Sequence, residues 1–453
     1  MFPHSGAGFE DLAYELVLEV LKQAPDLESL HSLLLAAPTA YRVFDRFAVE
    51  IVNAILPAAS FPGRSLHEHV RVIMRVITHI HTGSLPAEID SLYKFMQLVT
   101  EESQGYRLRP SLHGFRPSSF PAEASSCVLR YILATSFRIA SLTHDCLEFY
   151  LARFRELRPR RLKDGSGTAV CQLGTEDWAT ETLSHDVVDY GQPSWVEQQR
   201  VLRALWRIQL LVELKRAVKN STLVWDRIEA ETLDKMKLTD LYGYYRDQWP
   251  VDATLSPKAD AFSIQCCEPS VPQNHAHVEH GYFFRSFRMA EYQLLLTAQD
   301  YLARAPVHAG RKIAKGAGPP AFHCLSKSHT VGIVNKEDVE ALWDWRLLCT
   351  NWSEATHVLC DVNRQSAHFL DFFPFRRLGF AIWCEKRLQM QGLLNMDDES
   401  PDATKSTPAA WLSILRPCDE QECRAQAEAS RKLNQVDYRM ARYLLPEWSE
   451  RDF

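Results

Sequence analysis

Apolar residues recur at three- and four-residue steps along much of this chain, the period of helices that turn one face inward. Leu12, Leu16, Val17, Val20 and Leu21 form a first short run and Leu27, Leu30, Leu33 and Leu34 a second, separated by Ala24-Pro25-Asp26. Asp26 is placed to cap the second helix. The spacing continues through Phe44, Phe47, Ile51, Ile55 and Leu56, through Val70 to Ile80 and through Leu92 to Val99, with breaks at Pro57, Pro62 and Pro86. Successive helical hairpins are expected, because each proline removes a backbone donor and ends its run.

Tyr106 to Pro121 has no period and reads as a surface loop; helix resumes at Ala122, and Cys127 to Arg158 reads as one or two long helices. Pro159 to Gly174, around Asp164-Gly165-Ser166-Gly167, is a candidate exposed linker. Val196 to Val218 is the most strongly periodic stretch. Val201, Leu205, Ile208, Leu211, Val212 and Leu214 are expected on one face of a central helix, with Arg200, Arg203, Arg207 and Lys215 on or near the other. Helix is expected again over Tyr282 to Arg304, Trp343 to Asn351, Phe375 to Leu394 and Glu420 to Leu444. Irregular stretches separate these runs at Trp249 to His280, Ala305 to Pro320 and Met396 to Pro408. Thr330 to Val334 is the best of few strand signals. The fold class is therefore mainly α: a multi-helical array or bundle with long irregular loops and little or no β-sheet. Residues 1–56, 57–163 and 175–453 are its candidate divisions, the last rich in tryptophan.

Composition supports a packed chain. Its 453 residues are 46% hydrophobic and 24% charged, enough apolar material for a sizeable core without staples. A formal charge of −6 provides no global positive field, which disfavours nucleic acid and anionic membrane and favours protein partners. The 11 cysteines are odd in number and include the adjacent pair Cys266 and Cys267, a pattern that fits a reducing compartment. With no leader-like start and no membrane-length apolar stretch, the expected location is intracellular, cytoplasmic or nuclear.

The segment Leu12-Ala13-Tyr14-Glu15-Leu16-Val17-Leu18-Glu19-Val20-Leu21, followed by Asp26-Leu27-Glu28-Ser29-Leu30-His31-Ser32-Leu33, resembles the F-box. Ala13 stands where that family has proline, and Ala36-Ala37-Pro38-Thr39 where it often has Ser/Cys-Arg and a tryptophan. The resemblance implies docking of an apolar helical ridge on the Skp-type adaptor of a cullin ubiquitin ligase, with an unknown protein as substrate. Its position-matched partner-binding residues are Leu12, Glu15, Val20, Leu21, Leu27, Leu30 and Leu33. Glu197-Gln198-Gln199-Arg200 leading into Ala204-Leu205-Trp206-Arg207, and Arg376-Arg377-Leu378-Gly379-Phe380-Ala381-Ile382-Trp383, are similar to segments of large uncharacterised fungal helical proteins that begin with such helices. The alternative is a scaffold, regulator or fungal effector in which the same leucines belong to the protein's own core.

Local chemistry is sparse. The phosphate-loop, dinucleotide, nucleophile-elbow and His-Glu-x-x-His signatures are absent from the sequence, so no catalytic residue, metal ligand or cofactor is assigned and the chain is read as a non-enzyme. Cys266, Cys267, His275, His277 and His280 are the best metal candidates, with loop histidines beside buried thiols as the plainer reading. His67, His69, His79 and His81 read as incidental surface histidines. Arg153, Arg155, Arg158, Arg160, Arg161 and Lys163 form one basic run, read as solvated or as complementing the negative end of a helix. The carboxylate pairs Asp397-Asp398 and Glu337-Asp338 are assigned to solvent and a helix dipole. Trp343, Trp345, Trp352, Trp383, Trp411 and Trp448 are read as core rather than as a ligand groove.

Overall fold

The computed structural model describes residues 9–56, 66–96, 115, 117–162, 182–184, 187–236, 292–304, 372–393, 411, 413–416, 418 and 421. They are mainly helical, as the apolar period predicts. A 3-10 turn, Phe9–Asp11, leads into α1 (Tyr14–Lys22), α2 (Leu27–Ala36) and α3 (Pro38–Ile55). Then follow α4 (Glu68–Thr82), α5 (Leu92–Phe95) and the long α6 (Ser126–Arg155). A two-stranded antiparallel ribbon pairs β1 (Arg160–Leu162) with β2 (Thr182–Ser184), Arg161 opposite Leu183. The remaining helices are α7 (Trp195–Lys219), α8 (Arg227–Lys235), α9 (residues 292–304), α10 (Phe373–Arg376) and α11 (Glu385–Met390). Of the expected linker Pro159 to Gly174, residues 160–162 form β1 instead and 163–174 lie outside the described residues, as do the strand at 330–334, the helix at 343–351, nearly all of the helix at 420–444 and the loops at 249–280, 305–320 and 396–408.

Local chemistry sets several helix ends. The Asp26 carboxylate accepts the Ser29 N–H at 2.7 Å, the cap anticipated from sequence. Pro38 opens α3, where a missing N–H costs nothing. Gly83, at φ 65°, turns the chain out of α4 while the Ser84 N–H reaches the His79 carbonyl at 3.0 Å. At the end of α6 the Arg158 guanidinium donates to the Arg155 and Leu157 carbonyls, both at 2.8 Å, the helix-end role read for the basic run.

The chain forms two units that interleave along the sequence. The first takes the described residues up to Thr143 and those from Leu202 to Leu296; the second takes His144 to Val201 and those from Thr297 onward. Both α6 and α7 are divided between them. The first unit buries Leu21, Leu30, Phe44, Ile77, Phe95 and Leu214 without residual exposure.

The second unit is built around aromatic rings and one ion pair. Phe375, Phe380 and Trp411 have centroids 5.1 to 5.6 Å apart, and Phe154 lies 5.4 Å from Trp383. Both indoles are buried with their N–H satisfied, Trp383 on the Leu378 carbonyl at 3.0 Å and Trp411 on that of Leu393 at 2.8 Å, so these two are core as expected. Beside the rings, Arg387 Nε and Nη2 each donate at 2.9 Å to the two oxygens of Glu197. Arg387 also donates to the Gly191 and Gln192 carbonyls at 3.0 and 2.8 Å, while Glu197 accepts the Cys384 and Ser194 N–H groups at 2.9 and 2.6 Å. Burial opposes the charge on Glu197, yet Arg387 and the two N–H groups outweigh it and hold the carboxyl below its ordinary value.

Two expectations change. Val196–Val218 is a helix but not a two-faced one: Arg200, Arg207, Glu197 and Glu213 are buried with its apolar residues, and Val212 is 43% exposed. The reason is that its buried polar groups are matched individually, Arg200 donating to the Ile382 and Trp383 carbonyls at 2.8 Å. Phe375–Leu394 is two short helices instead of a continuous one. Gly379 interrupts it at φ 79°, where a Cβ would stand 2.8 Å from Tyr150 Cβ.

Removing one partner of the buried pair should be far worse than removing both. Glu197→Ala is expected to cost about 3 to 5 kcal/mol by leaving the Arg387 charge unpaired, and Glu197→Leu with Arg387→Leu markedly less, measured by urea unfolding with a probe in the second unit. Gly379→Ala should lower stability by about 2 kcal/mol or more in the same assay, from combined strain and overlap.

Candidate functional site

Residues 12–55 fold as the three consecutive helices α1 to α3. Val17 and Leu21 turn α1 inward, and Leu27, Leu30 and Leu34 do the same for α2. The Tyr14 and Phe47 rings lie 5.6 Å apart with the Arg46 guanidinium 5.9 and 5.5 Å from them, and Lys22 bridges Glu19 and Glu50 at 2.9 and 2.7 Å. Within the first unit these helices lean on α6. Ser136 Oγ donates to Glu28 Oε1 at 3.3 Å, His31 lies 5.0 Å from the Phe137 ring, and Arg130 pairs with Asp45 while its guanidinium lies 4.7 Å over Tyr41.

The seven position-matched residues therefore divide. Leu21, Leu27 and Leu30 are 0 to 2% exposed and hold the helices together. Leu12 and Leu33 are half-buried, and Glu15 and Val20 are exposed. Leu16, one turn before Val20, is 56% exposed and Val20 is 43% exposed, so α1 presents an apolar pair outward. Leu16 was not among the matched positions, although its signal lay in the spacing. At about 100° per residue, Leu16, Val17, Val20 and Leu21 cover an arc of roughly 140°, wider than one packed stripe uses. Val17 and Leu21 take the inner edge, leaving Leu16 and Val20.

Glu28 is a residue that pattern reasoning missed. Burial, reinforced by the Asp26 charge, pushes its carboxyl up to about 7, against which the Ser136 hydroxyl and a backbone N–H act only partly.

His67, which caps α4, and His69, His79 and His81 within it are not incidental surface residues. His67 and His69 are buried, 4 and 7% exposed, with rings 4.8 Å apart. His67 precedes the helix and its Nδ1 accepts the His69 N–H at 3.1 Å, so the rings do not diverge as two positions within a helix would. Burial, then the charges of Arg203, Arg71 and Arg207, hold His67 well below its ordinary pKa. His79 Nδ1 lies 2.8 Å from Ser84 Oγ, and His81 Nε2 lies 3.0 Å from Glu213 Oε2. Glu213, its side chain fully buried, also accepts from Tyr131, Gln209 and Arg216. Burial acts against this carboxylate, but His81, Tyr131 and Arg216 together depress its pKa. Every oxygen lobe is engaged, so Glu213 acts as a polar tie between α4, α6 and α7 rather than a base open to substrate.

Among the described residues no group of three or more His, Cys, Asp or Glu is placed to hold a metal ion. The Cys266, Cys267, His275, His277 and His280 set, the Asp397-Asp398 and Glu337-Asp338 pairs, and Trp343, Trp345, Trp352 and Trp448 lie outside them. Among the described residues no helix is long and apolar enough to cross a membrane.

Stability should fall as pH rises through the Glu28 titration. The folded carboxyl keeps its proton to about 7 while the unfolded one ionises near 4.5, so folding is progressively opposed between those values. Glu28→Gln is expected to flatten this window and to stabilise the protein at pH 8 by about 1 to 2 kcal/mol, compared with wild type in urea unfolding at pH 5 and 8. No family model matches this sequence, and no curated protein or solved structure matches it either.

Proposed function

We propose that this chain is an F-box-like interaction protein in which the outer face of α1 docks a Skp-type adaptor of a cullin-type ubiquitin ligase while the helical body recruits a protein substrate. The chain itself is non-catalytic in this reading, and ubiquitin transfer belongs to its partners. The observation that supports it is the exposed pair Leu16 and Val20, outward on a helix whose inward apolar residues, Val17 and Leu21, are already committed to the core. Glu15 and Glu19 flank that pair and give the patch a polar rim. Covering two half-exposed aliphatic side chains is worth about 1 kcal/mol each, a useful anchor within a larger helix-to-groove contact.

The burial of Leu21, Leu27 and Leu30 favours a second reading, a scaffold, regulator or fungal effector whose first helices serve only its own body. Co-purification with a fungal Skp-type adaptor separates the two. Under the adaptor reading wild type binds, and Leu16→Asp with Val20→Asp weakens binding at least tenfold with an unchanged circular dichroism spectrum. Val224→Asp with Ile228→Asp, which alters apolar side chains 85 and 76% exposed elsewhere in the same unit, leaves it intact. A folded wild type that does not bind leaves the scaffold reading.

A further inference from the structure

Where α5 meets the start of α8, the first unit presents aliphatic side chains to solvent. Leu223 is buried and the Trp225 ring lies 6.0 Å from that of Phe95, so Val224 between them is left outward. On α8, Leu233 takes the inner side and Ile228 the outer. Tyr93 is exposed next to Leu92, whose N–H donates to Glu229 Oε1 at 3.1 Å and ties the two helices together. Among the described residues around this junction, Asp90, Asp226, Glu229 and Glu231 stand against Lys94 and Arg227. Lys94 pairs with Asp90 at 2.8 Å and Arg227 with Glu231 at 3.0 Å, while Asp226 and Glu229 accept the backbone N–H groups of Glu229 and Leu92. Lys235 lies at the opposite end of α8, where Lys215 donates to the Asp234 and Met236 carbonyls at 2.8 and 2.9 Å. Burial, then the charges of Asp226 and Asp90, push the Glu229 carboxyl above its ordinary value, so the acidic groups are close enough to repel one another. A cation brought by a partner relieves that repulsion, whereas nucleic acid and anionic membrane are repelled by the same rim.

We propose that this face docks a basic amphipathic segment of a partner protein, its aliphatic side covering Val224 and Ile228 and its lysines or arginines meeting Asp226, Glu229 and Glu231. An apolar anchor covered by the partner and a charged rim that fixes its sign and orientation divide the work of such a contact. That the docked segment belongs to the recruited substrate rests on the adaptor reading; the binding itself does not.

Calorimetric titration of the full chain without adaptor tests the assignment with three synthetic peptides: an amphipathic helix of leucine and lysine, the same with glutamate for lysine, and the same with serine for leucine. The expected result is saturable one-to-one binding of the Leu/Lys peptide, at least tenfold tighter than the Ser/Lys peptide, with the Leu/Glu peptide rejected. Val224→Ser with Ile228→Ser should weaken the Leu/Lys peptide at least tenfold without changing circular dichroism. Asp226→Asn with Glu231→Gln, which keeps a capping side chain at the helix start, should weaken it at least threefold. Should the serine pair unfold, Ile228→Ser alone is read, with a loss of about threefold or more expected. Absence of saturable binding at millimolar peptide, equal binding of the Leu/Glu peptide, or binding that the folded variants leave unchanged each overturns the proposal. Self-association of the chain that the serine pair abolishes overturns it too, by giving the face to a second copy. The adaptor reading survives each of these results, since it is tested separately at α1.

Discussion

The pair between Glu197 and Arg387 is the constraint on which the second unit depends. Two ions removed from water are tolerated only when their bonding capacity is largely met, and here Glu197 accepts four hydrogen bonds and Arg387 donates four. Glu197 sits at the third position of α7, where its carboxylate also takes the Ser194 N–H while the Ser194 hydroxyl accepts the Glu197 N–H at 3.3 Å. The helix start, the turn at Gly191 and Gln192 and the start of α11 thus meet on one side-chain pair. Arg200, one turn further along α7, holds the Ile382 and Trp383 carbonyls. The segments 197–200 and 376–383, noticed separately in the sequence, are the two sides of this clamp, and that position is structural.

Aromatic packing and polar matching then support each other. The Trp383 ring lies 5.2 Å from the Arg387 guanidinium, and Tyr190 flanks the same group at 5.2 Å. Gln391 closes the end of α6 by donating to the Phe154 and Leu157 carbonyls at 3.3 and 3.0 Å. The close approach of Gly379 to Tyr150 lets the chain turn between α10 and α11 without displacing the rings. In such a core the polar groups specify which arrangement forms, while the apolar area supplies most of the driving force.

The first unit uses a different economy. Its three N-terminal helices are bound by leucine and phenylalanine packing, and α2 and α3 are tied to α6 by single polar contacts at Glu28 and Arg130. α1 keeps one apolar edge for this packing and leaves the other outward.

Much of the fold was legible in the sequence, because helical period, proline breaks and caps act over a few residues. The leucine runs of α1 and α2, the Asp26 cap, the length of α6 and the placement of Trp383 and Trp411 in the core follow from such local rules. Tertiary structure decided what depends on neighbours from distant parts of the chain. It decided that Arg200, Arg207, His67 and His69 are buried, that Glu28 carries a raised pKa, and that Leu16 and Val20 stay outside while Val17 and Leu21 go in. Period tells which residues can share a face, but whether a face is covered, and by what charge, is set by contacts between distant parts of the chain, as between Glu197 and Arg387, 190 residues apart, that no local pattern encodes.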